Sequence, residues 1–454
     1  MGKSSTRAAS ALVVGAALAV ALASARDYAG SWNDGSRLAA VESLVDRHTW
    51  AIDESMFVVP AGITPSPYGG EADLRRHGTR DKLRIGKHFY SDKSPLPSLW
   101  LAGSYTAWRW ITGTTARRQP NRFCYWMTVT SSGLGYVVAV WCIFRLGGAL
   151  RLAMPVRLAL TASFGLATVA LPYTRHVNQH MPLLAVAAAL LLGLIHFAGA
   201  PRPRAAFMLG TLAGLGYGID LGAGPLLFAC TTVLALYRSP RLRTVSPLLL
   251  AALPWITLHH VLNYAIGGTI APANTVAAYL RWPGSPFNEQ TMTGVWHHSL
   301  PQAVEYGAAL LVGKRGFLGH NVPLFLLVPA MAMLVRARPR ELPEIIWAVT
   351  WSTSTWLLYT LTSNNSSGVC ASIRWFVPLL VPGYFVIAVF VRERPAWSAD
   401  FLVLSSWGGV IAVLMWWYGP WMKHLVPFYW PLQIAALMSW ILCARARRHP
   451  VHAG

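Results

Sequence analysis

The chain has 454 residues, of which 54% are hydrophobic and only 12% charged, and it carries a formal net charge of +21. Soluble domains carry roughly 25% charged residues, so this composition excludes an ordinary water-soluble multidomain protein. The positive charge alone would also suit a nucleic-acid partner, but Lys and Arg gathered in the cytoplasmic loops of a membrane protein give the same sum.

At the N-terminus, Lys3 and Arg7 precede an apolar stretch from Ala11 to Leu22 and then Ala23-Ser24-Ala25. This is the pattern of a cleavable signal peptide or of an uncleaved first helix, and composition does not separate the two. Beyond it, apolar runs of about 18 to 24 residues recur; at about 1.5 Å per residue they match a hydrocarbon core of about 30 Å. Spanning helices are expected near 8–25, 122–144, 156–172, 181–198, 205–219, 221–237, 245–266, 317–335, 343–361, 375–391, 400–418 and 424–443. The expected fold class is therefore an all-α polytopic membrane protein with about twelve transmembrane helices. It forms a single integral membrane domain, 1–454, with two long loops at about 26–121 and 267–316.

The breaks between runs fall into two kinds. Arg145/Arg151/Arg157, Arg202/Arg204, Arg238/Arg241/Arg243, Arg336/Arg338/Arg340, Arg392/Arg394 and Arg445/Arg447/Arg448 join Lys3 and Arg7 in one set. The short alternate loops hold only Arg175, Arg374 and Lys423. That asymmetry places both termini in the cytoplasm and the sparse loops outside, while long loops translocate largely regardless of charge. A further apolar stretch, 95–112, would invert the topology if it crossed. It is short and holds Arg109, so it is expected to lie in the interface or to re-enter. The five cysteines lie mostly inside apolar runs without a pairing pattern, which argues against a disulfide framework.

The first external loop opens with Ser31-Trp32-Asn33-Asp34-Gly35-Ser36-Arg37-Leu38. Asp34 or Ser36 can cap a helix. Leu38, Val41 and Val45 recur at helical spacing, with Arg37, Glu42 and Asp46 on other faces. A short amphipathic helix along the membrane surface is expected, and Asp34 is either its cap or a functional carboxylate. The loop closes with Lys87-His88-Phe89-Tyr90-Ser91-Asp92-Lys93-Ser94-Pro95-Leu96. There a cation, an imidazole and an aromatic hydroxyl converge above an apolar segment. Lys93 either anchors to lipid headgroups or holds a phosphate as a compact charge with three donors.

These two segments, in this order, resemble the polyprenyl-phosphate-dependent GT-C glycosyltransferases, in pattern the aminoarabinose transferases of lipid A and their protein O-mannosyltransferase relatives. That pattern is roughly Asp-Glu-x-x-(Tyr), a gap, then Tyr-x-x-Lys-Pro-Pro-Leu. Here stand Asp34-Gly35-Ser36-Arg37 and Tyr90-Ser91-Asp92-Lys93-Ser94-Pro95-Leu96, with Gly35 in place of the second acid and Ser94 in place of the first Pro. An insertion around 58–80 is rich in Gly, Pro and Arg. The motifs cover under a fifth of the chain, and helix count and orientation carry the likeness over the rest.

The resemblance implies a GT-C-like fold with a retained first helix. It implies a polyprenyl-phosphate sugar as donor substrate and a glycan, lipid or protein acceptor, handled on the external face of a bacterial cytoplasmic membrane. Asp34 takes the catalytic role, Lys93 the donor phosphate, Arg37 an orienting role and Tyr90 substrate binding; His88, two residues before the motif, joins the substrate-binding candidates on its position alone. No resident cofactor, metal-ligand set or nucleic-acid partner is expected, and the departures leave acceptor and divalent-metal dependence open.

Topology alone adds further candidates. Arg175, beside His176, and Arg374 are exceptional as Arg residues in sparse loops: each is a headgroup contact or a second phosphate ligand. Asp220 caps a helix or faces an external cavity, and Asp53-Glu54 is a solvated pair or a substitute for the missing acid. His259-His260 and His297-His298 are structural, because adjacent helical residues do not face each other. The alternative function is a transporter or flippase of lipid-linked sugars. Its mark would be ionisable residues buried mid-helix, yet acids within the spanning runs are almost absent. A third reading, an inactive membrane subunit, takes Gly35 as the sign of lost chemistry.

Overall fold

The structure, a computed structural model, describes residues 3–58, 74–75, 77–422 and 424–448; most of the insertion around 58–80 and Lys423 lie outside them. Apolar sequence without β-branched runs starts the chain as α1 (Lys3–Ser24), and a helix follows at each of the other expected spans. In the first loop come α2 (Trp32–Arg47), a hairpin of β1 (Lys82–Ile85) and β2 (His88–Ser91), and α3 (Pro95–Thr112). Pro95 opens α3 at a position whose N–H has no intrahelical partner, and Gly113, at φ +65°, closes it.

The bundle continues with α4 (Pro120–Thr128), a π-turn at Val129–Gly133, α5 (Leu134–Ala149), α6 (Met154–Leu166), α7 (His180–Gly199), α8 (Pro203–Ile219), α9 (Ala223–Arg238) and α10 (Leu242–Gly267). The second long loop carries α11 (Ala277–Leu280) and α12 (Leu300–Val312). After it come α13 (Phe317–His320), α14 (Leu327–Ala337), α15 (Leu342–Thr362), α16 (Leu380–Glu393), α17 (Ser398–Tyr418) and α18 (Tyr429–Arg448). Residues Leu380 to Val391 of α16 are buried on every face, as expected of a helix at the centre of a bundle. Gly210 and Gly214 let α8 approach α10 closely: a Cβ on Gly210 would collide with the Leu248 carbonyl oxygen. This small-xxx-small contact replaces the hydrophobic drive that lipid cannot supply.

Among the described residues, six helices are long and apolar enough to cross a membrane: those at 5–24, 120–149, 180–199, 242–267, 374–393 and 395–418. The expected span 317–335 instead straddles the break of a bent pair, Leu300–His320 with Val322–Ala337, meeting at 111°. Asn321 explains the break: its side chain turns back to the Phe317 carbonyl and also accepts the Val169 N–H at 2.9 Å. Helices α6 and α9 are apolar but shorter. At the Arg-rich end, Arg238 bonds Glu344 at 2.8 Å, Arg392 bonds Glu341 at 2.6 Å and Arg447 bonds Asp400 at 2.8 Å.

Helix α2 is not the amphipathic surface helix its spacing suggests. Every residue from Asn33 to Ser43 is buried. Leu38, Val41 and Val45 pack on Ile52, Phe57, Leu101, Tyr105 and Phe123, while the polar faces are consumed by internal partners. Glu42 accepts from Ser55 Oγ at 2.6 Å and from Arg117 Nε at 3.2 Å, and Asp46 accepts from Tyr105 at 2.7 Å. Buried charge is retained only with such pairing. The hairpin in turn docks on the second long loop: Leu83 and Ile85 pack with Ala273, Leu280, Met292 and Phe287. The Lys82 ammonium lies 4.2 Å from the Phe89 ring centroid and 4.9 Å from that of Trp282.

Candidate active site

The two long loops and the Arg-poor short loops meet over one end of the bundle and enclose a cavity of about 770 Å³. Its walls come from distant stretches: Gly30 to Asn33, Asp92 to Ser94, Gln179 and His180, Asp220, Met292 and Arg374 among them. Such a mixed wall, with apolar surface and a few charged groups, is the usual make-up of a small-molecule site.

The two sequence motifs converge at this cavity. Ser36 Oγ lies 2.7 Å from Ser91 Oγ and donates to Asp92 Oδ1 at 3.2 Å. Lys93 Nζ is clamped between Asp81 Oδ2 at 2.6 Å and Asp92 Oδ2 at 2.8 Å. Burial pushes the Asp92 carboxyl above its ordinary range, with Lys93 pulling the other way. Ser94 donates its hydroxyl to the Gly218 carbonyl at the end of α8, a bond that the proline of the related pattern could not make.

Arg37 is 1% exposed, and among the described residues neither of its terminal nitrogens has a hydrogen-bond partner. Its Nε reaches only Asn33 Oδ1, at 3.5 Å. Burial lowers its pKa to about 10, while Asp92 and Asp220 act to raise it, so the guanidinium stays charged at neutral pH. Arg374 lines the cavity, with its guanidinium carbon 5.7 Å from the Trp421 ring centroid. A buried donor without a partner is costly; the Arg37 guanidinium is in that state behind Asn33 of the wall, and with Lys93 and Arg374 on the wall itself this part of the cavity suits an anion.

Asp34 is 1% exposed and sits in the first turn of α2, where Ser31 is the N-cap. Its Oδ2 accepts the Gly30 N–H at 2.6 Å and lies 3.4 Å from His176 Nδ1; its Oδ1 accepts the Ser31 hydroxyl. The cap of α2 is thus Ser31 and not the expected Asp34 or Ser36; Asp34, in the first turn, ties its carboxylate back to Gly30 and Ser31, which belong to the cavity wall. Gly35 has a structural reason of its own, since a Cβ there would meet Leu74 Cδ1 at 2.7 Å. Gly35→Glu is expected to cost more than about 2 kcal/mol through overpacking and an unpaired buried charge. Thermal unfolding in detergent checks this, and an unchanged midpoint would mean that Leu74 swings aside without penalty.

Other expected residues lie elsewhere. The Arg175 guanidinium donates to the Trp416 and Trp417 carbonyls at the end of α17, a C-terminal helix contact. His88 Nδ1 lies 3.3 Å from Asp53 Oδ2, and Asp53 also accepts the Phe89 N–H at 3.1 Å. Tyr90 pairs with Leu83 and bridges to Ala51 within the hairpin. None of these four lines the cavity. Asp220 does both things considered for it, accepting the Gly222 and Ala223 N–H groups at 3.0 Å and facing the cavity. Asp81, Asp92 and His180 went unnoticed in the sequence. Asp92 stood inside a singled-out motif, but nothing marked Asp81 or His180. Among the described residues no group of three or more His, Cys, Asp or Glu side chains is placed to hold a metal ion, and the five cysteines are free.

Fold and cavity together define a polytopic, all-α membrane protein with a polar site at one end of its helices. No protein-family model and no curated protein matches the chain. Among solved structures it is similar to ArnT from Cupriavidus metallidurans bound to undecaprenyl phosphate. Identity is 14% over 96% of this chain and 76% of that one, at a TM-score of 0.49. The apo state of ArnT gives 15% identity, the same coverage and a TM-score of 0.48.

Proposed function

We propose that the protein is a GT-C-type glycosyltransferase that moves a sugar from a polyprenyl-phosphate donor to an acceptor hydroxyl on the external face of the cytoplasmic membrane. The observation that carries this reading is the convergence of the two motifs, through Ser36, Ser91 and Asp92, at a cavity whose wall holds Lys93 and Arg374, with the buried Arg37 guanidinium behind Asn33. Transfer requires cations to hold and neutralise the leaving phosphate, and Arg37, Arg374 and Lys93 fill that role. Lys93 meets the phosphate by exchanging one of its two carboxylate partners. Asp34 supplies the motif carboxylate, fixing the wall at Gly30 to Asn33 and holding His176. His88, Tyr90 and Arg175 brace the hairpin and loop ends that frame the donor site. The apolar remainder of the wall, with Leu280, Phe287 and Met292 from the second loop, receives the first isoprene units.

The test is the lipid that accompanies the protein. Wild type and Asp34→Asn are purified in detergent and extracted for mass spectrometry. Polyprenyl phosphate in the wild type, with its sugar adduct enriched in the variant, is the expected result and names the sugar. Bulk phospholipid alone in both would remove the donor assignment.

A further inference from the structure

The carboxylates contributed by the first loop are already committed. Asp34 ties back to Gly30 and Ser31, and Asp81 and Asp92 hold Lys93. A transfer to a hydroxyl still needs a group that removes the acceptor proton. On another part of the cavity wall stands His180, the first residue of α7. Its side chain is 2% exposed, and among the described residues its buried Nδ1 has no hydrogen-bond partner. Its Nδ1 lies 3.9 Å from Asp220 Oδ2.

Asp220 is held by the fold in one orientation. Its Oδ1 accepts the two backbone N–H groups at the start of α9 and lies 3.4 Å from the Tyr359 hydroxyl; its Oδ2 accepts Gln179 Nε2 at 2.9 Å. A small turn of the His180 ring brings Nδ1–H into hydrogen-bond range of that fixed oxygen. Catalytic hydrogen bonds are commonly long before substrate binds. The Nδ1–H tautomer leaves the Nε2 lone pair for a ligand in the cavity, the arrangement in which a carboxylate orients an imidazole base. His180, Lys93 and Arg374 line the same cavity, so a phosphate gathered by those cations shares that cavity with the imidazole.

We propose that His180 is the catalytic base of the transfer and Asp220 its positioning residue, an inference that rests on the transferase reading above. His180 Nε2 accepts the hydroxyl proton as the acceptor oxygen bonds to the anomeric carbon. The bond from that carbon to the phosphate oxygen breaks, and its electron pair leaves on the polyprenyl phosphate. The imidazolium, paired with Asp220, then returns the proton to the departing phosphate monoester.

The experiment uses the full chain in detergent with a panel of polyprenyl-phosphate pentoses and hexoses, following release of polyprenyl phosphate in the presence of host membrane extract. His180→Ala is expected to lower kcat by about 10² to 10⁴ while donor affinity stays within about threefold of wild type, and added imidazole is expected to restore part of the rate. His180→Gln, which keeps bulk and polarity, is expected to be as inactive as His180→Ala and to melt with the wild type. The double variant His180→Ala/Asp220→Asn is expected to be no slower than His180→Ala alone, because residues acting as a unit are non-additive. Full turnover in His180→Gln, or losses that add in the double variant without rescue by imidazole, overturns the assignment while leaving the transferase intact. A wild type that neither binds polyprenyl phosphate nor turns over any donor removes both readings together.

Discussion

Asp34→Asn is expected to lower turnover by about 10²-fold, the cost of a misplaced site wall, while shifting the melting midpoint by no more than about 4 °C. The stability effect is small because the change is local to a helix start. Asparagine keeps one acceptor oxygen for either the Gly30 N–H or the Ser31 hydroxyl, and turns an NH₂ donor toward the other. Losing that cap contact costs about 1 kcal/mol, and removing a negative charge from the first turn costs about 0.3 to 1 kcal/mol more. The functional effect is large because the same carboxylate orders the Gly30 to Asn33 wall and is the acidic neighbour of His176, 3.4 Å away. Steady-state kinetics with a matched melting curve separates the two. Wild-type turnover in this variant would strip Asp34 of any part in the reaction, and a loss confined to donor affinity would make it a shaper of the cavity alone.

What the sequence made legible follows from the range over which each signal acts. Helices appear at all the expected spans because burial in lipid or in a bundle demands long apolar runs, a strictly local property. The stretch 95–112 is one continuous helix, and among the described residues it is not one of those long and apolar enough to cross a membrane. The character of α2 was not legible: Arg37, Glu42 and Asp46 look solvated by spacing, but their partners Asn33, Ser55, Arg117 and Tyr105 include residues up to 75 positions away. The hairpin is built from two four-residue strands, too short for alternation to stand out. Its geometry then decided which motif residues reach the cavity, with Lys93 past the end of β2 arriving there and His88 and Tyr90 within the strand held back. The charge rule singles out both Arg175 and Arg374 as cations in sparse loops, and only the fold separates them, with Arg374 on the cavity wall and Arg175 on the end of α17. His180 obeys every local rule, and only the juxtaposition of α7 with the Asp220 turn gives it meaning.

Removing the other motif residue tests a different balance. Lys93→Met is expected to lower stability by about 3 to 5 kcal/mol, the cost of breaking a buried ion pair from one side, and to weaken donor binding. The Asp81 and Asp92 carboxylates face the same ammonium and are mostly shielded from solvent; without it they repel each other in a poorly hydrated place. Burial already holds the Asp92 pKa above its ordinary value, and Lys93 is the strongest force restraining that rise, so the variant carries Asp92 higher still. A carboxyl raised in the folded state binds its proton more tightly there than in the unfolded chain, whose value is about 3.9. Its contribution to stability is therefore full below that value and is lost as pH rises through the folded pKa. The difference in melting midpoint between wild type and Lys93→Met should accordingly be widest at neutral pH and narrow on acidification. A gap that stays constant with pH would show that the two carboxylates do not interact through Lys93. Lys93→Arg, which keeps the charge, should close most of the gap in stability while still impairing transfer, because a planar fork does not reproduce a compact ammonium set between two acids.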